Sequence, residues 1–211
     1  MTSSIKSIMN ENVLDKTVLV RADLNIPMSN GNISDQSRVE RVIPTINFLK
    51  SSGAKIVICS HLGRPNGKYN KNYTLKPLVE ILSNILETNV RFSNSCLGQE
   101  ALEIKTSLKA GEILLLENVR FHEEEINNSL SFAKKLSEGC DLFVNDAFSC
   151  SHRAHSSLHA ITNFLPSYSG KLMDEEIKAL TSVLSSPIKP VAALVGGAKI
   201  STKINIIEYL I

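Results

Sequence analysis

A chain of 211 residues with 43% hydrophobic content is long enough to bury one full core and part of a second. Its formal net charge of +2 excludes nucleic-acid binding driven by overall charge, so any positive potential has to be local. The opening MTSSIKSIMNENVL lacks the continuous apolar core of a signal peptide, and no later run approaches the ~18 apolar residues that span a bilayer, so a cytoplasmic chain without a membrane partner is expected.

The first predicted strand is Val18-Leu19-Val20, a short apolar run of the kind buried on both faces of a parallel sheet. Arg21, Asp23 and Asn25 follow at spacing two and share one face while the chain stays extended. Pro27 to Ile33 reads as a loop with Asn30-Gly31 as its turn. Ser37 is the predicted N-cap of a helix from Arg38 to about Ser52, with Val39, Val42, Ile43, Ile46 and Leu49 on its apolar face and Gly53 as its stop. Arg38 in the first turn opposes the helix dipole, which hints at a task other than helix stability, although an exposed neutral arginine is the commoner outcome.

A second strand over 54–59 enters the polar loop HLGRPNGKYNKNYT, after which Thr74 is expected to cap a helix carrying Leu75, Leu78, Val79, Leu82 and Leu86. Short strands at Val90 to Phe92, Glu112 to Leu116 and Leu142 to Val144 alternate with helices at Gly98 to Lys109 and Glu123 to Glu138, the last stopped by Gly139. This alternation predicts an α/β fold, a doubly wound and mainly parallel sheet with helices on both faces, three-layered and Rossmann-like. From Gly170 the organisation changes. A helix from Asp174 to Ser185, a strand from Pro190 to Val195 and a helix with Ile200, Ile204 and Ile207 predict a first domain over 1–170, a linking helix over 171–187 and an incomplete second α/β domain over 188–211. Cys59, Cys96, Cys140 and Cys150 contain no CxxC pair and lie in or beside predicted strands, so reduced structural thiols are expected.

Each strand ends in polar chemistry. In an open parallel sheet ligands sit beyond the carboxyl ends of the strands. There the sequence sets Arg21, Arg64, Arg120, Arg153 and two histidines, a set whose natural partner is a small anion. Asp23 and Asn25 read as turn formers when taken alone, and as acceptors for substrate hydroxyls in this company. His61 and Arg64 occupy a glycine-containing loop between strand and helix, which favours anion binding. For Arg120, snorkelling from the sheet edge and a place in the crevice are equally compatible with its position. His152-Arg153-Ala154-His155 suits phosphate better than zinc, because no acidic or thiol partner stands at ligand spacing and the arginine repels a cation, so no metal site is expected. Gly196-Gly197-Ala198-Lys199 lacks Walker spacing, yet glycines between strand and helix let backbone amides approach a phosphate. Lys199 and Lys203 there read either as a solvated face or as phosphate ligands. The absence of Gly-x-Ser-x-Gly and of Gly-x-Gly-x-x-Gly argues against covalent hydrolysis and a dinucleotide-binding dehydrogenase.

Taken together, VLVRADLNIP (18–27), Arg38, SHLGRP (60–65), LLENVRF (115–121), NDAFSCSHRAHSS (145–157) and GGAKISTKI (196–204) closely resemble the phosphoglycerate kinase family. Leu24 stands where the family often has Phe, and Ser149 where it often has Gly. The resemblance implies reversible phosphoryl transfer between 1,3-bisphosphoglycerate and ADP, giving 3-phosphoglycerate and ATP in glycolysis, by a cytoplasmic and monomeric enzyme with Mg2+ bound together with ATP or ADP. It further implies that Asp23, Leu24, Asn25, Arg38, His61, Leu62, Gly63, Arg64, Arg120 and Arg153 bind the glycerate substrate. Gly196, Gly197, Lys199 and Lys203 would bind nucleotide, and Arg38 and Lys199 would stabilise the phosphoryl group in flight. The family is about twice as long as this chain, so a truncated enzyme is expected, with a non-catalytic anion-binding module or decayed fragment as the alternative.

Overall fold

The computed structural model describes residues 5–26, 28–29, 32–33, 35–185, 190 and 192. Apart from Pro190 and Ala192, the predicted strand at 190–195, the helix after it and the residues Gly196, Gly197, Lys199 and Lys203 lie outside those described. Contacts divide the chain into two compact units, Met1–Asp174 and Glu175–Ile211.

The first unit is built on six parallel strands: β1 (Thr17–Arg21), β4 (Lys55–Cys59), β5 (Val90–Ser93), β6 (Ile113–Leu116), β7 (Leu142–Asn145) and β8 (Ser167–Ser169). A two-residue antiparallel ladder, β2 (Met28–Ser29) with β3 (Asn32–Ile33), stands apart in the stretch read as a loop. The sheet order is β5-β6-β4-β1-β7-β8. The connection from β1 leads to β4 on one side, and that from β7 leads to β8 on the other. The chain therefore diverges between β1 and β7, and a crevice opens at their carboxyl ends.

Strand alternation divides the core between the two faces of the sheet. Val18, Val20, Ile56, Ile58, Ile113 and Leu115 pack with Val39, Val42, Ile46 and Leu49 of α1 (Ser37–Ser51) and with Leu78 and Leu82 of α2 (Leu78–Ile85). Leu19, Val57, Leu114, Leu116 and Phe143 pack with Ala101 of α3 (Gln99–Ser107) and with Phe132, Ala133 and Leu136 of α5 (Leu130–Ser137). This is the expected three-layer α/β fold.

Several local expectations give way to hydrogen bonding. Ser37 is the first helical residue of α1 and not its cap: its N–H donates to Asp35 Oδ1 at 2.9 Å, and the Gln36 carbonyl accepts from Val39 and Glu40. That bond to a backbone amide holds the Asp35 carboxyl below its ordinary value. Pro44 lies inside α1 on its exposed face, where water can take the carbonyl its ring leaves unpaired. Helix α2 starts at Leu78, because Thr74 is held elsewhere: its hydroxyl donates to Glu117 Oε2 at 2.5 Å, and Leu75 N–H donates to Oε1 at 2.9 Å. The single helix expected over 123–138 is two, α4 (Glu123–Ile126) and α5, separated at Asn128, which takes a positive φ of 54°. An Asn-Asn-Ser sequence supplies that break, with Asn128 tolerating the left-handed region and Ser129 Oγ accepting from Phe132 N–H to cap α5. Strand β8, Ser-Tyr-Ser, has no apolar run to announce it.

Helix α6 (Lys171–Ser185) begins three residues earlier than expected, because its first turn is anchored to the sheet unit. Lys171 N–H donates to Thr45 Oγ1, Met173 N–H to Asp146 Oδ1, and both Ser7 and Ser169 hydroxyls to the Asp174 carboxylate. Burial pushes the Asp146 carboxyl above its ordinary value, opposed by the Thr45 hydroxyl and the Met173 and Leu172 amides. A Cβ on Gly170 would stand 2.3 Å from Asp146 Oδ1. Gly170→Ala is therefore expected to lower unfolding free energy by about 1–3 kcal/mol in urea titration, through overpacking against a charged group. A loss below about 0.5 kcal/mol would show that this anchor gives way without cost. In the second unit, the described part of α6 exposes Leu180, Val183 and Leu184.

Among the described residues no helix is long and apolar enough to cross a membrane. Cys59, Cys96 and Cys150 are buried free thiols and Cys140 is half-buried. Burial pushes the Cys59 thiol up to about 12 and raises that of Cys96 as well.

Candidate functional site

Four strand ends build the crevice. After β1, Ala22 N–H still bonds the Cys59 carbonyl, so the chain stays extended for one further step. Ser60 Oγ donates to the Ala22 carbonyl at 2.8 Å and accepts from Leu24 N–H at 2.9 Å, stitching this loop to the end of β4. Leu24 is fully buried between Asp23 and Asn25, so the alternation that turns it into the core turns those two outward. Asp23 Oδ1 accepts from Asn25 N–H at 3.1 Å, and Asn25 Oδ1 accepts from Gly63 N–H at 2.8 Å. Asp23 Oδ2 takes both Arg38 Nη1 and the Ser149 hydroxyl.

The loop after β6 is held from below. Glu117 accepts from Thr74, Leu75 and Asn118, while Asn118 Nδ2 donates to the carbonyls of Leu62 and Tyr73 and Asn118 Oδ1 accepts from Arg120 N–H. These hydrogen bonds fix the loop so that it delivers Arg120, whose Nη1 donates to the Gly63 carbonyl at 2.8 Å and whose buried Nε has no protein partner. Burial, then Arg153 and Arg21, push the Arg120 guanidinium below its ordinary value. A buried cation with an idle donor is prepared for an acceptor from outside.

These groups enclose a cavity of about 230 Å³ lined by Asp23, Asn25, Arg38, His61, Gly63, Arg64, Arg120, Ser149, Cys150 and Arg153. A second hollow of about 190 Å³ shares Arg64, Arg120 and Arg153 and adds Asn66, Ile126 and His155. Four guanidiniums face one carboxylate that is already engaged, so the cavity carries a local positive potential despite the modest net charge.

Arg21 does not point into the crevice as its place at a strand end implied. It is fully buried, with Nε donating to Ser157 Oγ at 2.8 Å, Nη1 to the Ala22 carbonyl and Nη2 meeting His61 Nδ1 at 3.1 Å. His61 is itself buried, and desolvation followed by Arg21, Arg120 and Arg153 pushes its pKa down to about 2, so the ring is neutral at any physiological pH. Of the two histidines of the His-x-x-His pair, His155 lines the second hollow and His152 lies outside both, its Nε2 accepting from Arg153 Nε.

Of the positions named from sequence, the structure brings Asp23, Asn25, Arg38, His61, Gly63, Arg64, Arg120 and Arg153 together. Leu24 and Leu62 turn their side chains into the core. Sequence reading missed Ser149 and Cys150 as lining residues. Their signal was position alone, a short 3-10 turn (Phe148–Cys150) directly after β7.

Among the described residues, Asp23, His61 and Cys150 set ligand-type atoms within 4.8 Å of one another. They do not fit a cation. Asp23 Oδ2 is committed to Arg38 and Ser149, His61 Nδ1 is committed to Arg21, and guanidiniums crowd the cavity.

The family model described as phosphoglycerate kinase matches residues 8–211. A phosphoglycerate kinase of Borrelia garinii subsp. bavariensis is 47% identical over 209 residues, covering 99% of this chain and 53% of that protein. One of Wolbachia pipientis is 46% identical over 207 residues, covering 98% of this chain and 52% of its own length. The solved structure of phosphoglycerate kinase from Coxiella burnetii superposes with a TM-score of 0.86 at 39% identity, covering 97% of this chain and 51% of that one. The chain thus spans about half the length of the relatives it matches.

Proposed function

Since this chain belongs to the phosphoglycerate kinase family, we propose that it supplies the 3-phosphoglycerate-binding half of an enzyme that moves a phosphoryl group between 1,3-bisphosphoglycerate and ADP. The observation that carries this reading is the cavity beyond β1, β4, β6 and β7, in which four guanidiniums and a neutral histidine face one engaged carboxylate. A three-carbon acid with a phosphate at one end needs cationic forks at both ends and hydrogen-bonding groups between them. Arg64, Arg120 and Arg153 serve the phosphate end, and Asp23 and Asn25 the hydroxyl.

The chemistry asks for positioning and charge stabilisation more than for a general base, because the group that attacks or leaves is a carboxylate. Arg38, 45% exposed at the lip, has the freedom to leave Asp23 for a phosphoryl group in transit. Lys199 is its proposed partner in that step, and Gly196, Gly197 and Lys203 are proposed to meet the nucleotide. Mg2+ would travel with ATP or ADP, where it neutralises phosphate charge; the described cavity offers it no ligand set. Residues 1–170 form the proposed substrate domain, 171–187 the link, and 188–211 the start of the nucleotide domain. We place the enzyme in the cytoplasm and in glycolysis, working as a monomer.

The test joins residues 1–211 to the C-terminal half of a phosphoglycerate kinase relative and follows ATP formation from 1,3-bisphosphoglycerate and ADP. Turnover is expected from the joined protein, and its absence in a folded, nucleotide-binding hybrid would overturn the reading.

A further inference from the structure

Behind the crevice runs a buried chain of polar groups that ends at the cavity-lining His61. Glu125 of α4 accepts at Oε2 from Ser157 N–H (2.8 Å) and at Oε1 from Ser157 Oγ–H (2.6 Å). With its proton given to Glu125, Ser157 Oγ accepts from Arg21 Nε, and Arg21 Nη2 in turn reaches His61 Nδ1. Glu125, Ser157 and Arg21 are fully buried, and His61 nearly so.

A guanidinium has donors only, so the His61 nitrogen facing it has to offer a lone pair. Arg21 cannot turn away, because Ser157 and the Ala22 carbonyl hold its other two nitrogens. In a neutral ring the remaining proton then sits on Nε2. We propose that Arg21, braced by Ser157 and Glu125, is a positioning residue that locks His61 in the Nε2–H tautomer, so that the ring meets the substrate anion as a fixed neutral donor. The substrate part rests on the reading of the crevice given above. The tautomer follows from the hydrogen bonds alone.

The groups facing His61 agree with a neutral donor. Arg21 approaches from β1, Arg120 from the loop after β6, and Arg153 and His155 from the segment after β7, all disfavouring a second positive charge on the ring. Asp23 lies on the crevice side, but its Oδ2 is shared between Arg38 and Ser149. Glu125 stands behind Ser157, with His155 Nδ1 3.8 Å from its Oε1. The lock also removes a penalty. A free imidazole would gain and lose charge near its ordinary pKa of about 6.5, and substrate affinity would follow it. Held neutral, His61 contributes a hydrogen bond whose strength does not change across that range.

Two-bond proton–nitrogen NMR on the labelled chain tests this, with His61 assigned by the signal lost in His61→Gln. The expected pattern is a bare Nδ1 and a protonated Nε2, unchanged from about pH 8 to about pH 5. A protonated Nδ1, an average of both tautomers, or titration near pH ~6.5 would overturn the proposal. In Arg21→Met, where burial still keeps the ring neutral, the tautomers are expected to mix, and an unchanged lock there would equally overturn it. Should Arg21→Met not fold, Ser157→Ala, which removes the acceptor bracing Arg21 Nε, is expected to shift the His61 signals toward the mixed pattern, and unmoved signals would count against the brace. Adding 3-phosphoglycerate separates the two readings. A shift of the Nε2–H signal supports both, whereas a correct tautomer with no response to ligand keeps the lock and overturns the substrate.

Discussion

Arg38→Ala, introduced into a protein with a complete second half, is expected to lower turnover by about 100- to 1,000-fold while the fold survives. The two halves of that expectation have separate causes. Arg38 stands in the first turn of α1, 45% exposed, and its ion pair with Asp23 is the kind of solvent-screened contact that contributes about 0–1 kcal/mol to stability. Asp23 keeps its bond from the Ser149 hydroxyl and its own bond to Asn25 N–H, so the lip of the crevice remains in place. What disappears, on the proposed mechanism, is the cation that would follow charge as it develops on a phosphoryl group. A steady-state assay beside thermal unfolding separates the two, and unchanged turnover would remove Arg38 from the mechanism.

The second large effect belongs to the interior. Glu125→Ala is expected to destabilise the chain by about 3 kcal/mol, because it strands the buried Ser157 N–H and hydroxyl and removes the carboxylate that orients Ser157 toward Arg21. Urea unfolding followed by circular dichroism measures the loss. Glu125→Gln, which keeps one acceptor, is expected to fall between wild type and Ala. A cost below about 1 kcal/mol for the Ala variant would show that water or a rearranged Ser157 replaces the carboxylate.

The central strands were legible because each is a run of apolar residues bounded by turn signals, and burial on both faces leaves no other choice of residue. The crevice was legible for the complementary reason, since a polar cluster at the end of such a run has no structural cause in the sheet itself. Edges and breaks were harder. Thr74 and Ser37 look like helix caps in sequence, but Thr74 is recruited by Glu117, 43 residues later, and Ser37 by the stronger acceptor Asp35. The reading of one helix over 123–138 runs straight through the turn at Asn128, because only α5 presents apolar residues to the core while α4 buries Glu125, so no change of apolar pattern marks the break.

Among the arginines, Arg21 and Arg120 looked alike. Both are buried at strand ends, and only the partners at their nitrogens divide them: Arg21 has every nitrogen engaged by protein, whereas Arg120 keeps Nε idle beside the cavity. No one-dimensional pattern carries that distinction. Ser149 and Cys150 went unseen because a small uncharged side chain at a cavity wall has no signature until the turn that places it is known.

The claim on which the rest depends is that this cavity takes 3-phosphoglycerate, and calorimetric titration of the purified chain tests it most directly. One binding site per chain for 3-phosphoglycerate is predicted, weakened by added salt, since the attraction is between charges partly open to solvent. Binding should be lost in Arg120→Ala, and MgATP added to the same sample should give no comparable heat. A folded chain that leaves 3-phosphoglycerate unbound, or binds it equally well without Arg120, would contradict the assignment of this crevice as the substrate site.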